Sequence, residues 1–263
     1  VTAKFREKYG PWAIITGASS GLGTEFAKQL ASRGLNLLLV ARREERLTRL
    51  ASELNAHYDI EARAVVSDLS KPNFMKAIRS ATRGIEIGML INNAGFGIAG
   101  DFLNNDPAAE LDMIQLNCIA PYLLAREFGA KMAERRRGGI IFVSSLLGHI
   151  PAPYMANYSA TKAYNLFLGE SLWYELRHFG TDVLVLSPGP IETEFASVAG
   201  MKMRNMMSPE QVASIALAKI GKRPSVTAGT ANRVMVFLGR LVSRQILIRG
   251  SAIGMRMLGR GGA

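Results

Sequence analysis

Short, almost uninterrupted apolar runs alternate with longer stretches of helical period through residues 12–187. The runs at 12–16, 35–40, 60–66, 87–91, 139–144 and 182–187 predict strands, and the amphipathic stretches at 21–33, 43–57, 72–82, 107–135 and 155–179 predict the helices that join them. A run such as Leu35-Asn36-Leu37-Leu38-Leu39-Val40 leaves no face suited to water, so helices are expected on both sides of the sheet. Strands and helices in strict alternation make the fold class α/β, a doubly wound parallel sheet.

Past Ser187 the pattern loosens. Pro188, Gly189 and Pro190 punctuate the chain, methionines follow at Met201, Met203, Met206 and Met207, and Ser208-Pro209-Glu210-Gln211 has the chemistry of a helix start. Arg233, Arg240 and Arg244 are spaced by seven and four opposite Met235, Leu238, Val242 and Ile246, which predicts a basic amphipathic extension over about 230–263. Arg249, Arg256 and Arg260 repeat the spacing, with Gly250 and Gly254 expected to interrupt any long helix. With neither a repeat nor a linker, residues 1–263 are expected to form one domain.

Composition narrows the chemistry. A single cysteine, Cys118, permits no intrachain disulfide, and three scattered histidines suggest no metal cluster, so a metal-free mechanism in a reducing compartment is expected. Residues 1–8 are charged where a secretory leader would be apolar, and a cytoplasmic protein is expected. The net charge of +11 is local: nine cations and no acidic residue follow Glu210. Because no stacking aromatics accompany those arginines, nucleic acid is not an expected partner.

The first strand runs into Thr16-Gly17-Ala18-Ser19-Ser20-Gly21-Leu22-Gly23 and then a helix. Such a turn lets backbone N–H groups and the positive end of the helix dipole meet a pyrophosphate, which makes Gly17, Ser19, Ser20, Gly21, Leu22 and Gly23 candidate cofactor residues. Asn92-Asn93-Ala94-Gly95, Asn117, Ser144-Ser145, Tyr158-Ser159-Ala160-Thr161-Lys162 and Pro188-Gly189 follow in order. With these marks, residues 11–200 resemble the short-chain dehydrogenase/reductase family. The resemblance implies a Rossmann-type domain and an NAD(P)-dependent oxidoreductase that interconverts a carbonyl and a secondary alcohol.

At the end of the second strand, Arg42 and Arg43 stand where an acidic residue would bind a free ribose hydroxyl, so NADP(H) is favoured over NAD(H). The resemblance adds Asp68 and Leu69 at the adenine, Asn93, Ala94 and Gly95 beside the nucleotide, and Pro188, Gly189, Ile191 and Thr193 toward the nicotinamide. Tyr158 and Lys162 are one helical turn apart and share a face. By resemblance both also touch the cofactor; Tyr158 is the general acid or base, its pKa expected to be lowered by the Lys162 ammonium and by the positive nicotinamide of the oxidised cofactor. Ser145, thirteen residues before Tyr158, would hold the substrate oxygen, with Ser144 the competing choice. Asn117 would link Lys162 to solvent through a water and a local helix irregularity. His149 reads as pocket wall or surface, and Cys118 as packing.

The segment 190–207 would close over a small or hydrophobic, lipid-like carbonyl or alcohol substrate. Apolar residues around the helices at 107–135 and 155–179 suggest a homodimer or homotetramer. The basic extension has two open readings: peripheral contact with an anionic membrane, or packing against protein. A non-catalytic NADP(H) sensor is the alternative function; sugar-nucleotide epimerases share the Tyr-x-x-x-Lys pair but are longer, with a different glycine turn.

Overall fold

Each strand sends alternate side chains to opposite faces, and here both faces are covered by helices, so nearly every strand residue must be apolar. The structure, a computed structural model, describes residues 2–194 and 206–259. Its sheet is seven-stranded, parallel throughout, in the order β3-β2-β1-β4-β5-β6-β7. The strands are β1 (Trp12–Thr16), β2 (Asn36–Ala41), β3 (Ala62–Val66), β4 (Ile87–Asn92), β5 (Gly138–Val143), β6 (Thr181–Ser187) and β7 (Ser225–Thr227). The helices are α1 (Thr2–Tyr9), α2 (Gly21–Ala31), α3 (Glu44–His57), α4 (Phe74–Ala81), α5 (Pro107–Ile114), α6 (Ala120–Glu134), α7 (Ala156–Arg177), α8 (Pro209–Lys219), α9 (Thr230–Gly239) and α10 (Arg244–Gly259).

The pleat divides the core in two. Ala13 and Ile15 of β1, with Leu37, Leu39 and Ile91, pack against Phe26 and Leu30 of α2, Leu47 and Leu54 of α3 and Val212 of α8. Ile14, with Leu38, Leu90 and Phe142, packs on the other face against Ile78 of α4, Phe128 of α6 and Leu166 of α7. This is the Rossmann-type α/β fold expected. The chain winds outward in one direction from β1 and in the other from β4, so a crevice opens above the carboxyl ends of these two strands.

Several expectations need correction. The stretch 107–135 is α5 and α6 joined by a π-helical turn, Gln115–Ile119. β3 starts at Ala62 because Tyr58 to Glu61 turn to reach the sheet edge, where Ile60 N–H bonds the Tyr58 carbonyl. α10 runs unbroken through Gly250 and Gly254. Instead, the break falls between Gly239 and Arg244, so the arginine ridge spans two helices. On α7 the apolar surface is mostly internal: Leu168, Leu172, Trp173 and Leu176 pack on the core, while Phe167 is exposed. Of the methionine-rich lid, Met201 and Met203 lie outside the described residues. Met207 pairs with Ile191 and packs against the core rather than facing a ligand.

Candidate active site

The crevice is braced before it is decorated. The Thr16 hydroxyl donates to Ile91 O at 3.1 Å and accepts from the N–H groups of Asn93 at 2.9 Å and Ala94 at 3.0 Å, fastening the ends of β1 and β4 together. The Asn93 amide donates to Thr16 O at 2.8 Å, so this side chain shapes the turn. Gly17 and Gly21 have φ of +67° and +54°, which L side chains rarely adopt. A Cβ on Gly23 would lie 2.2 Å from Gly17 O, so only glycine lets α2 start this close to β1. Ser20, the N-cap of α2, makes no side-chain cap bond, leaving the first-turn N–H groups facing the crevice, as an anionic ligand requires.

Arginine side chains gather beside this turn. Arg43 donates to the hydroxyls of Ser19 at 3.2 Å and Ser20 at 2.7 Å. Arg43 and Arg46 each reach one oxygen of Glu194 at 2.7 Å, and these bonds hold its carboxyl down at about 2. A pair of guanidinium groups with two hydroxyls suits a phosphate, and a carboxylate sits among them here. Asp68 accepts from the N–H and hydroxyl of Ser70. Burial alone would raise its pKa, but those bonds and the charges of Arg42 and Lys71 bring it below the ordinary value.

Across the crevice stand the groups carried by β5 and α7. Ser145 follows β5 and accepts from Leu147 N–H at 3.2 Å. Its hydroxyl also bonds Tyr158. Ser144 turns the other way, donating to Lys162 O at 2.7 Å, which leaves Ser145 as the serine at the crevice. The Lys162 ammonium lies 5.8 Å from the Tyr158 ring centre and donates to Val143 O at 2.9 Å. Burial lowers the Lys162 pKa to about 8. It raises that of Tyr158 well above the ordinary phenol value, outweighing the Ser145 bond. The expected lowering of the phenol by its neighbouring ammonium is therefore corrected: Lys162 is turned toward the Val143 carbonyl and desolvation dominates.

The expected irregularity at Asn117 is present as the π turn, a feature frequent at functional sites. The Asn117 amide donates to Phe96 O at 2.9 Å and Thr161 Oγ1 at 3.0 Å, while its backbone carbonyl accepts from Asn165 at 2.7 Å. A Cβ on Gly95 would be 3.0 Å from Asn117 Oδ1 and 3.2 Å from Lys162 Nζ, so the absence of one lets these two side chains flank the same strip of backbone. His149 is tied to Ser187 Oγ at 3.1 Å, and burial, with Arg240, lowers its pKa. Burial pushes the Cys118 thiol up to about 11, which suits packing rather than nucleophilic chemistry.

All the candidate residues except Gly23 and Asn117 line one cavity of about 1240 Å³. Gly23 lies beneath the turn, and Asn117 stands behind Gly95. Thr193 covers the glycine turn, its methyl 2.6 Å from where a Cβ of Gly21 would be. Three contributions were missed from sequence: the Glu194 carboxylate, Arg46, and the inner faces of α9 and α10. The apolar stripe of α9–α10 was visible, but what it faces was not.

The sequence profile of short chain dehydrogenases matches residues 11–203. Very-long-chain 3-oxoacyl-CoA reductase of Neurospora crassa is 35% identical over 223 residues, which are 83% of this chain and 67% of that protein. The chain thus spans about two thirds of that relative's length. Among solved structures, a 7β-hydroxysteroid dehydrogenase is similar with TM-score 0.88 and 29% identity over 94% of this chain and 98% of that one. A short-chain dehydrogenase from Sphingobium yanoikuyae in complex with NADPH has TM-score 0.79 and 32% identity, covering 88% of this chain and 93% of that one. The chain therefore belongs to the short-chain dehydrogenase family, as an NAD(P)-dependent oxidoreductase that interconverts carbonyl and alcohol groups.

Proposed function

We propose that the protein is an NADP(H)-dependent reductase of hydrophobic, lipid-like carbonyl compounds. The observation that carries this reading is the shared cavity: Ser145, Tyr158 and Lys162 line the same space as the glycine turn and the arginines. Arg42 and Arg43, with Ser19 and Ser20, would hold a 2′-phosphate, for which a carboxylate at the end of β2 would be the wrong partner. Bound NADPH supplies the hydride. Tyr158, kept protonated by burial, gives its proton to the substrate oxygen as the carbonyl carbon is reduced. Ser145 holds that oxygen from the side of the phenol. Lys162, cationic below about pH 8 and bonded to Val143 O, would hold the nicotinamide ribose. Asn117, through the Phe96 backbone and Thr161, fixes the path of the chain around Lys162.

An NADPH-oxidation assay over long-chain and alicyclic ketones, with Tyr158→Phe alongside, tests the reading. Turnover by the parent that the variant loses is expected, and full activity in the variant refutes the assignment. A non-catalytic sensor would bind NADPH and oxidise none of these compounds.

Residues 1–263 are proposed to act as one catalytic domain, in a cytoplasmic homodimer or homotetramer. Exposed Leu111, Phe167 and Tyr174 support the assembly, and analytical ultracentrifugation tests it. Among the described residues no helix is long and apolar enough to cross a membrane. Phe237, Leu241, Ile253 and Met257, exposed among arginines of α9 and α10, support peripheral contact with an anionic bilayer. Failure to pellet with anionic vesicles at low salt removes that contact.

A further inference from the structure

The cavity does not stop at Tyr158. Its volume of about 1240 Å³ takes in both the glycine turn and the space beyond the phenol. It extends along α9 and α10, two helices outside the stretch 11–203 that matches the family. They are docked on the catalytic side of the molecule. Met255 packs in one cluster with Met155 and Tyr158. Ser251 Oγ donates to Pro151 O at 2.6 Å, and Arg256 donates to the Tyr154 hydroxyl at 2.6 Å.

The surface they present to the cavity is apolar and still accessible. Val234, Leu238, Val242 and Ile246 line it with 51%, 53%, 42% and 62% of their surface exposed. Among the described residues no Asp, Glu, Lys or Arg of either helix lines it. Among the described residues the charged lining residues are Arg42, Arg43, Asp68 and Glu194 at the cofactor end, and Lys162 beside Tyr158. A substrate on this wall must therefore be uncharged where it touches α9 and α10.

Gly250 and Gly254 stand one turn apart on α10, and both line the cavity. A Cβ on either would meet nothing within 4 Å. No neighbouring protein atom therefore requires glycine at these positions, although each glycine costs the helix about 1 kcal/mol relative to alanine. What the pair produces is a trough beside the bulkier lining residues Ile246, Leu247 and Met255.

We infer that the trough at Gly250 and Gly254, in the wall that α9 and α10 give the active site, seats the apolar body of a large, uncharged carbonyl compound whose C=O reaches Ser145 and Tyr158. The inference rests on the reductase reading of this site. Fused alicyclic rings and long acyl chains share the required chemistry, and both belong in the test.

Gly250→Leu and Gly254→Leu fill the trough with a strong helix former at positions where space is open, so the fold is retained. Steady-state reduction by NADPH is measured with a four-ring alicyclic ketone, a long-chain 3-oxoacyl ester and butanone. For at least one large substrate kcat/KM falls by about tenfold or more, while butanone and the KM for NADPH stay within about twofold. Loss for the ring alone, or for the chain alone, identifies which body the trough seats. Ile253→Gln, on the exposed side of α10 and not lining the cavity, alters none of these values. Equal loss for large and small substrates, or no loss for any, overturns the inference.

A second readout needs no turnover. Nile red, an uncharged polycyclic ketone dye, is titrated against the NADPH complex by fluorescence. The parent is expected to bind it, and the leucine variants about tenfold more weakly. If the parent binds no dye and reduces no large ketone, the wall is refuted. If it binds the dye, the leucine variants lose it, and nothing is reduced, butanone included, the wall stands and the reductase reading fails.

Discussion

Lys162 should weaken the fold it serves. The residue is 5% exposed, and burial brings the ammonium down to about 8 from its ordinary 10.5. That gap corresponds to about 3 kcal/mol of unfavourable burial. Below pH 8 both folded and unfolded chains carry the proton, and the folded state bears the whole cost. Between about 8 and 10.5 the folded state releases its proton while the unfolded chain keeps it, so stability rises with pH through this window. Lys162→Met keeps an unbranched chain, removes the charge and leaves Val143 O without this donor, a loss of about 1 kcal/mol. The variant is expected to be more stable than its parent by about 2 kcal/mol at pH 7, with the advantage gone by about pH 10.5. Urea unfolding at fixed protein concentration, followed by tryptophan fluorescence at pH 7, 9 and 10.5, measures the difference, and NADPH oxidation is lost in the same variant. A variant less stable than the parent at pH 7, or a difference independent of pH, refutes the reasoning.

Three further outcomes are expected. Tyr158→Phe lowers kcat for carbonyl reduction by about 10²–10⁴-fold with NADPH affinity retained, read by turnover and by fluorescence titration. Arg43→Ala removes charge-assisted bonds at the arginine cluster and raises the KM for NADPH by about 10–100-fold while sparing NADH; equal effects on both would place the 2′-phosphate elsewhere. Glu194→Gln frees Arg43 and Arg46 from a competing carboxylate, so the KM for NADPH falls by roughly threefold and that for NADH is unchanged.

What could be read from the chain follows the physics of each element. β1, β2, β4, β5 and β6 are buried on both faces, so their apolar runs announced them to within a residue or so. β7 is a three-residue, half-buried edge, too short to carry a period. α1 is polar over most of its length and is secured by tertiary bonds, Tyr9 donating to Asp182 at 2.6 Å. The π turn adds a residue to one helical turn without disturbing the apolar stripe on either side. Gly250 and Gly254 were expected to break α10, but the cost of about 1 kcal/mol each is offset by docking through Met255 and Ser251. The candidate site was legible because its residues sit at strand ends in family order. The clasp between Arg43 and Glu194 joins positions 151 apart, and nothing local announces it.

The Thr16 brace and the C-terminal helices divide the labour of the crevice between a part that cannot yield and a part that can. Removing the Thr16 hydroxyl would loosen the carboxyl ends of β1 and β4, where the dinucleotide would sit, whereas altering residues 230–259 touches neither strand. A graft of that C-terminal segment between relatives should carry substrate range with it and leave cofactor choice behind, since among the described residues none of 230–259 bonds to the brace.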